Sequence, residues 1–290
     1  MATIGRRRAR RTTRSGAART ASVRGAGATD VGHARDVNQD VIVVEPDLGL
    51  YIVLDGMGGR NAGEVAARLA GERVVDYVRQ EARVLRRWPR RVIERAFDAA
   101  TEALYLAGLQ LEQRRGMGTT AVACLVVDPT RAVIAHVGDS RAYLLRDGEL
   151  VQLTRDHSLV QELVDQGKLS PAGARRSSQR HVITRKLGHF SVRTDVQERT
   201  LEPGDRLLLC SDGLHGYTPE SSIRRVLASR GDPAQLAHEL VALALRGRAP
   251  DNVSAVVIAV DGAPAAERLR SSCRPARVAR AAGPKKTPRR

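Results

Sequence analysis

Strand-like and helix-like segments follow one another in this chain in an order that excludes a parallel α/β sheet. Two β-branched runs, "VIVVE" (41–45) and "YIVLD" (51–55), flank a proline and a glycine and predict a hairpin. Two helices are predicted next, over 63–80 and over a segment whose apolar residues step by four and three: Ile93, Phe97, Ala100, Leu104, Ala107 and Leu111.

The hydrophobic period then changes to two, which is typical of strands. Three consecutive antiparallel strands are predicted in "TTAVACLVVD", "RAVIAHVGD" and "RAYLLRDGELVQLT", the last of them folded at Asp147-Gly148. A helix is predicted over 158–167, a polar loop over 170–180, and a further strand pair in "SVRTDVQERTL" and "DRLLLCSD".

The last third of the chain predicts two more helices and a closing strand. Thr218 and Asp232 each place a capping side chain before a proline that can start a helix. The run "NVSAVVIAVD" predicts the closing strand. Because strands and helices come in groups instead of alternating singly, we expect an α+β fold: two antiparallel sheets packed as a sandwich with helices outside.

The net charge of +16 is carried by the two ends of the chain. Residues 1–28 hold eight arginines and no acid, and 263–290 hold nine basic residues against Glu267, so the segment 29–262 is neutral overall. Both ends are poor in large apolar residues, so we expect disordered basic arms around one domain, with the first arm able to contribute part of the first strand. Solubilising tails are favoured; nucleic acid, anionic membrane or an acidic partner are open alternatives without support.

Several other classes of protein are disfavoured. No run approaches the ~18 apolar residues of a membrane span, and the Arg-rich start, although it has transit-peptide composition, lacks the apolar core of a secretion signal. Cys124, Cys210 and Cys273 are widely spaced, which argues against a disulfide framework and a cysteine zinc site. We expect a monomer in the reducing cytoplasm.

Two of the four Asp-Gly pairs stand where a buried strand has just ended. Asp55 follows "YIVL" and Asp212 follows "LLLCS", whereas Asp147 lies in a hairpin and Asp261 at the end of the domain. A carboxylate beside glycine at a sheet edge leaves a backbone carbonyl open to a ligand. Such a position suits a metal site.

Other polar residues join these two at strand ends. Asp251 and Asp40 each precede a strand, as does Arg35, and Asp139 ends one. Because the start of one antiparallel strand lies beside the end of its neighbour, we expect Asp55, Asp212 and Asp251 to meet at one sheet edge. Clustered carboxylates need a counter-charge, and oxygen ligands without a His or Cys cluster favour Mg²⁺ or Mn²⁺ over Zn²⁺.

Seven motifs in one register give the chain a family resemblance: "TDVGHARDVNQD", "VLDGMGG", "GMGTT", "VGDSRAYL", "DHS", "LLLCSDGL" and "APDNVSAVVI". From about Thr29 to Val260 the chain resembles the metal-dependent protein serine/threonine phosphatases of type 2C (PPM), in particular the compact bacterial members. The resemblance implies a four-layer αββα sandwich with a two-metal centre at one end of the sheets.

The resemblance also implies roles for individual residues. Asp55 would bridge two Mn²⁺ or Mg²⁺ ions, and the Gly56 carbonyl would bind one of them. Asp212 and Asp251 look like ligands of the other ion. Asp40 resembles an acidic residue that holds the site, and Asp139, with Asp212, matches the pair that can bind a weaker third ion.

The implied reaction is hydrolysis of phosphoserine and phosphothreonine by a hydroxide that bridges the metals, with Arg35 resembling the phosphate-binding arginine. Residues 156–190 would form a mobile flap beside the site. Phosphorylated proteins, substrates of a Ser/Thr kinase, are the expected partners. Two alternatives stay open: a regulatory module of the same fold that binds phosphoproteins with little catalysis, and a nucleic-acid binder that uses the basic arms.

The chain departs from the family pattern at three places. Gln39 stands where many relatives have Glu, so the charge at that corner rests on Asp40. Met57 leaves the acid that protonates the leaving group unassigned; His157 is a candidate, although a lone histidine is more often structural. Gly216 replaces an acidic residue found in some relatives, which would weaken a third ion.

Overall fold

Two antiparallel sheets face each other in the residues that the computed structural model describes, 22–58, 62–189 and 191–262. The strands are β1 (Val23–Asp30), β2 (Asp40–Glu45), β3 (Leu50–Met57), β4 (Gly118–Thr119), β5 (Ala121–Asp128), β6 (Arg131–Val137), β7 (Arg141–Arg146), β8 (Glu149–Gln152), β9 (Asp195–Thr200), β10 (Arg206–Cys210) and β11 (Val253–Val260). The helices are α1 (Ala62–Gln80), α2 (Ala82–Leu85), α3 (Pro89–Gln110), α4 (Leu159–Asp165), α5 (Pro171–Arg176), α6 (Asp212–His215), α7 (Glu220–Ala228) and α8 (Pro233–Arg246).

The first sheet has the strand order β1-β11-β10-β7-β8, and the second has the order β2-β3-β5-β6-β9 with β4 paired to β3. Helices α1 and α3 cover the outer face of the second sheet, and α7 and α8 cover that of the first. The predicted α+β sandwich of two sheets with helices outside is therefore confirmed.

Alternation along the strands explains why the fold has four layers. On β3, Leu50, Ile52 and Leu54 pack under the helices, while Tyr51 and Val53 enter the core between the sheets. Strand β11 divides its side chains in the same way, and so does β10, whose Leu207 and Leu209 face the other sheet. Because both faces of these strands are apolar, each sheet must be covered on both sides.

The two described cysteines belong to these cores. Cys124 lies between the sheets and Cys210 lies under the helices of the first sheet, and both are buried free thiols. Cys273 lies outside the described residues.

Two predicted strand pairings are wrong. Strands β6 and β7 follow each other in the chain but lie in different sheets, because residues 138–140 cross from one sheet to the other. Strands β9 and β10 are separated in the same way. The hydrophobic pattern identifies strands correctly here, but it carries no information on which sheet each strand joins.

Residues 23–28 belong to the first arm, which was expected to be able to contribute part of the first strand; they form most of β1 and pair with β11. The segment 170–180, predicted as a loop, contains α5, which Ser170 caps through the Gly173 N–H. The rest of the first arm, up to residue 21, and the tail 263–290 lie outside the described residues.

None of the helices within the described ranges combines the length and the apolar character that crossing a bilayer requires.

The two predicted helix caps behave differently, and this difference can be tested. The Asp232 side chain accepts the Gln235 N–H of α8 at 2.9 Å in a complete capping box, whereas α7 starts after Pro219 without a side-chain cap. The Thr218 hydroxyl is buried and has no hydrogen-bond partner in the described ranges. We expect Asp232→Ala to lower the free energy of unfolding by about 1 kcal/mol. Thr218→Val should leave it unchanged or raise it, because valine removes an unpaired buried hydroxyl.

Urea denaturation of both variants checks this. A loss in Thr218→Val as large as that in Asp232→Ala would show that Thr218 caps α7 after all.

Candidate active site

A cleft of about 380 Å³ opens where one end of each sheet meets the other. Its walls come from both sheets, from the loop before β2 and from the flap, defined here as residues 156–190. The charged residues that line it are Arg35, Asp55, Asp139, Asp212 and Asp251, together with His181. Asp40 is buried beside it.

The second sheet contributes Asp40 and Asp55, which lie opposite each other in the β2–β3 register. Two threonines of the "GMGTT" segment hold the Asp55 backbone. The Asp55 carbonyl accepts the Thr119 hydroxyl and the Thr120 N–H, both at 2.9 Å, while the Asp55 N–H donates to the Thr120 hydroxyl at 3.1 Å. These hydrogen bonds fix the position of the Asp55 backbone at the end of β3.

Gly56 follows Asp55 because no side chain fits there. A Cβ atom on Gly56 would lie 2.1 Å from the Gly63 carbonyl oxygen of α1 and 2.7 Å from that of Gln39. The backbones of β3 and α1 therefore touch directly. This contact explains why the residue after the carboxylate is a glycine.

The first sheet contributes Asp212 at the end of β10. Ser211, just before it, is fully buried, and its hydroxyl donates to the Asp40 carboxylate at 2.7 Å and accepts the Ser254 N–H at 3.0 Å. This serine thus connects the first sheet to a carboxylate of the second. Asp212 also lies 3.5 Å from the flap residue His181, between Oδ2 and Nδ1.

Asp251 lies just before β11 and pairs with Arg35. The guanidinium donates through Nε and Nη2 to the two carboxylate oxygens, each at 2.9 Å. Next to it, the buried Asn252 side chain accepts the Gln39 N–H at 2.8 Å and donates to the Val31 and Val37 carbonyls at 2.9 and 3.1 Å. Asn252 thereby ties the loop that carries Arg35 to the first sheet.

Asp139 lies on the crossover between the sheets and is 7% exposed. Its neighbour Gly138 donates its N–H to His157 Nδ1 at 3.1 Å and accepts the His157 N–H at 2.9 Å. His157 is buried, and burial first, followed by His136, lowers its pKa to about 4. His157 does not line the cleft, so the structure does not support it as the acid that protonates a leaving group; its two hydrogen bonds hold the Gly138 turn.

The cleft carboxylates strongly perturb one another. Burial raises the pKa of Asp40 to about 7, in spite of hydrogen bonds from Ser254 and Ser211. Burial and the neighbouring carboxylates also raise the pKa values of Asp55 and Asp139 well above the ordinary range. For Asp212, burial is outweighed by the hydrogen bond with His181 and by the nearby His215, His181 and Arg35, so its pKa is lowered.

The residues present fit divalent cations. Asp40 Oδ1 and Asp212 Oδ1 are buried oxygens without a hydrogen-bond partner in the described part of the chain. Such atoms are costly in a native site unless a cation binds them. The carboxylates are spread more widely than the ligands of a single ion, since no three of the described cleft carboxylates come within 4.8 Å of one another.

Among the described residues one group does have single-ion spacing, and it is formed by His136, His157 and Asp195. Arg185 disfavours a cation there, because its guanidinium lies 3.2 Å from His157 Nε2 and 3.1 Å from Asp195. The two imidazoles stack at 4.6 Å between ring centroids. We therefore interpret this group as structural.

The structure brings all the predicted site residues together, but not at one sheet edge. Asp212 and Asp251 belong to the first sheet, and Asp40, Asp55 and Gly56 to the second, so the predicted single edge is wrong. Sequence reasoning also missed the contributions of Asn252, Ser211 and His181. The first two stood inside quoted motifs, whereas His181 had no signal beyond its place in a polar segment.

Comparisons with known proteins agree with this geometry. A family model described as protein phosphatase 2C matches residues 29–246. The serine/threonine protein phosphatase PstP of Mycobacterium tuberculosis is 39% identical over 242 residues, which cover 82% of this chain and 45% of PstP. The chain thus spans under half the length of this relative.

Matches to other proteins cover nearly their full length. Protein phosphatase PhpP of Streptococcus pneumoniae is 35% identical over 241 residues, which cover 80% of this chain and 96% of PhpP. The crystal structure of the PstP catalytic domain in complex with 2 manganese ions superposes with a TM-score of 0.75 at 37% identity, covering 84% of this chain and all of that domain.

The raised pKa of Asp40 gives a testable dependence of stability on pH. Because its folded-state pKa is near 7 and its ordinary value is 3.8, its contribution to metal-free stability is full below about pH 4 and is lost as the pH rises towards 7. We expect Asp40→Asn to raise the free energy of unfolding of the metal-free protein at neutral pH by about 1–3 kcal/mol. The same change should reduce the stabilisation by added Mn²⁺, because it removes a negative charge.

Urea denaturation in chelator and in Mn²⁺ measures both effects, with Asp98→Asn on the exposed face of α3 as the control. If Asp40→Asn destabilised the metal-free protein and left the Mn²⁺ effect intact, the electrostatic interpretation of this carboxylate would be wrong.

Proposed function

Because the chain belongs to the protein phosphatase 2C family, we propose that it is a metal-dependent phosphatase that hydrolyses phosphoserine and phosphothreonine in proteins. The observation that carries this proposal is the convergence of five aspartates from two sheets and one exposed arginine on a single cleft. The manganese complex of the PstP catalytic domain supports the choice of metal.

The residues proposed to hold the ions are the cleft aspartates and one backbone carbonyl. Asp55 and the Gly56 carbonyl are proposed for one ion, with Asp55 shared by both, and Asp212 and Asp251 for the other. Asp40 would hold the site from behind, and Asp139 with Asp212 would take a weaker third ion. When bound, Mn²⁺ or Mg²⁺ would supply Lewis acidity and lower the pKa of an attacking water.

Arg35 is proposed to bind the phosphate group of the substrate. Its guanidinium is about half exposed at the cleft, and its Nη1 donors have no hydrogen-bond partner among the described residues. A phosphate oxygen could accept from Nη1 first and then compete with Asp251 for the remaining donors. Exchange of this kind would hold the phosphate beside Asp251 with a planar, charge-assisted contact.

The flap would border the path of the substrate. It is fixed to the domain by the Arg141–Asp156 pair at 2.7 Å near its start. Near its end, Arg180 lies over the Tyr217 ring at 5.9 Å and 3.4 Å from its hydroxyl. His181 follows directly, so the flap brings a titratable side chain to the cleft.

The cellular setting belongs to the same proposal. A phosphatase of this kind would oppose a Ser/Thr kinase in cytoplasmic signalling, and phosphorylated proteins would be its partners.

The test is phosphate release from a phosphothreonine peptide by the full chain. We expect release to require Mn²⁺ or Mg²⁺ and to resist thiol blockers, since Cys124 and Cys210 are buried in the cores. Asp212→Asn should lower kcat/KM by on the order of 100-fold or more, because it removes a charged metal ligand.

The chain offers a matched control at its hairpin Asp-Gly pair. Asp147 has a left-handed φ of 51°, which asparagine adopts equally well, so Asp147→Asn should retain full activity. Phosphopeptide binding without turnover would favour the regulatory module instead, and full activity in Asp212→Asn would contradict the proposed site.

A further inference from the structure

A second cleft, of about 500 Å³, adjoins the candidate active site. Met57 and Ile183 line both clefts, so the two spaces are neighbours across these apolar side chains. We call the second space the basic cleft. Its other lining residues are Thr184, Arg185, Lys186, His189, Ser191, Val192 and Arg193.

The basic cleft has the opposite charge to its neighbour. Arg185, Lys186 and Arg193 line it, and no carboxylate among the described residues does. Arg185 is offset by Asp195 at 3.1 Å. Lys186 and Arg193, in contrast, make no ion pair within the described part of the chain, which leaves two positive charges without a counter-charge.

Lys186 is held in place rather than extended into solvent. Its Nζ donates to the Gly116 carbonyl at 2.6 Å, and its stem crosses Gly118, where a Cβ atom would lie 2.7 Å from Lys186 Cδ. The next residue, Leu187, bridges to Thr119 through two backbone hydrogen bonds of 2.9 and 3.3 Å. The ammonium is therefore positioned by the same strand segment that holds Asp55.

A half-buried ammonium whose only hydrogen-bond partner among the described residues is a carbonyl is well suited to an anion. Burial lowers the pKa of Lys186, which reports that the charged form is under-solvated. A phosphate or carboxylate would replace the lost solvation with a charge-assisted hydrogen bond.

We propose that the basic cleft binds a second anionic group of the substrate, a phosphate or a carboxylate close in sequence to the phosphorylated residue. This inference rests on the proposed phosphatase function and specifies its substrate class. A space of this volume is on the order of 8 Å across, a distance that two or three extended residues span at about 3.3 Å each. The second group would therefore lie within a few residues of the phosphate that is removed.

The test compares kcat/KM for three phosphothreonine peptides that differ at one flanking position, which carries glutamine, glutamate or a second phosphothreonine. The position is scanned on both sides of the scissile phosphate. With the full chain and Mn²⁺, we expect the best-placed anionic peptide to exceed the glutamine peptide by about five- to thirtyfold, mainly through KM. The glutamate and phosphothreonine arms tell a carboxylate from a phosphate as the preferred group.

The variants isolate the basic cleft from the rest of the chain. Lys186→Met keeps the stem over Gly118 and removes the charge; combined with Arg193→Gln it should bring the ratio of anionic to neutral peptide close to one. The ratio is informative because a purely structural defect lowers both peptides together, and the basic arms are present in every variant. Arg91→Gln removes an exposed charge near the N-terminus of α3 and should keep the wild-type ratio.

The outcomes separate the two proposals. No turnover of any phosphopeptide would contradict the phosphatase function. Turnover of the glutamine peptide with no preference for an anionic one, or a preference that survives in the double variant, would overturn the role of the basic cleft alone.

Discussion

Mutual repulsion among buried carboxylates is the constraint on which this structure depends. Asp40, Asp55, Asp139 and Asp212 meet in a space where burial disfavours charge and each carboxylate disfavours the others. In the protein itself Arg35 supplies a counter-charge to Asp251, and the His181 ring lies 3.5 Å from the Asp212 carboxylate. Buried oxygens of Asp40 and Asp212 have no hydrogen-bond partner among the described residues, and bound cations would relieve this arrangement.

The rest of the fold supplies the rigidity that such a site requires. Three apolar layers hold the sheets and helices together, and a small set of hydrogen bonds sets the ends of the strands. Thr119 and Thr120 fix Asp55, Ser211 connects Asp40 to the first sheet, and Asn252 ties down the loop with Arg35. Each of these polar side chains is buried and makes several bonds, so each is expensive to replace.

Two adjoining clefts of opposite charge would orient a charged substrate at the site. The acidic cleft would attract cations, and the basic cleft beside it would attract anions, with Met57 and Ile183 between them. A phosphopeptide with a second negative group would then be oriented before reaction. The second group would be repelled by the carboxylates of the acidic cleft and attracted to the basic cleft, while the phosphate to be removed would bind beside the cations proposed for the acidic cleft. The side chains shared by the two clefts, Met57 and Ile183, are apolar. They separate the acidic groups of one cleft from the basic groups of the other, which limits direct ion pairs between them.

The sequence alone predicted most of the elements and named the candidate site residues. The apolar runs in "YIVLD" and "NVSAVVIAVD" predicted strands, and the position of Asp55 and Asp212 directly after buried strands marked them as ligand candidates. Local patterns are set by local backbone geometry, so they can be read from a few residues. Even the cap at Asp232 was predictable in this way, whereas the one expected at Thr218 failed because α7 begins after Pro219 without it.

Tertiary structure decided which sheet each strand joins and therefore how the site is assembled. Strands β6 and β7, separated by only three residues, lie in different sheets, and Asp55 meets Asp212 across the sandwich instead of along one edge. The basic cleft and the burial of His157 depend on the same packing. Pairing between distant strands is selected by the packing of whole sheet faces against one another. The free energy of this packing depends on many segments together, so no single segment of the sequence shows it.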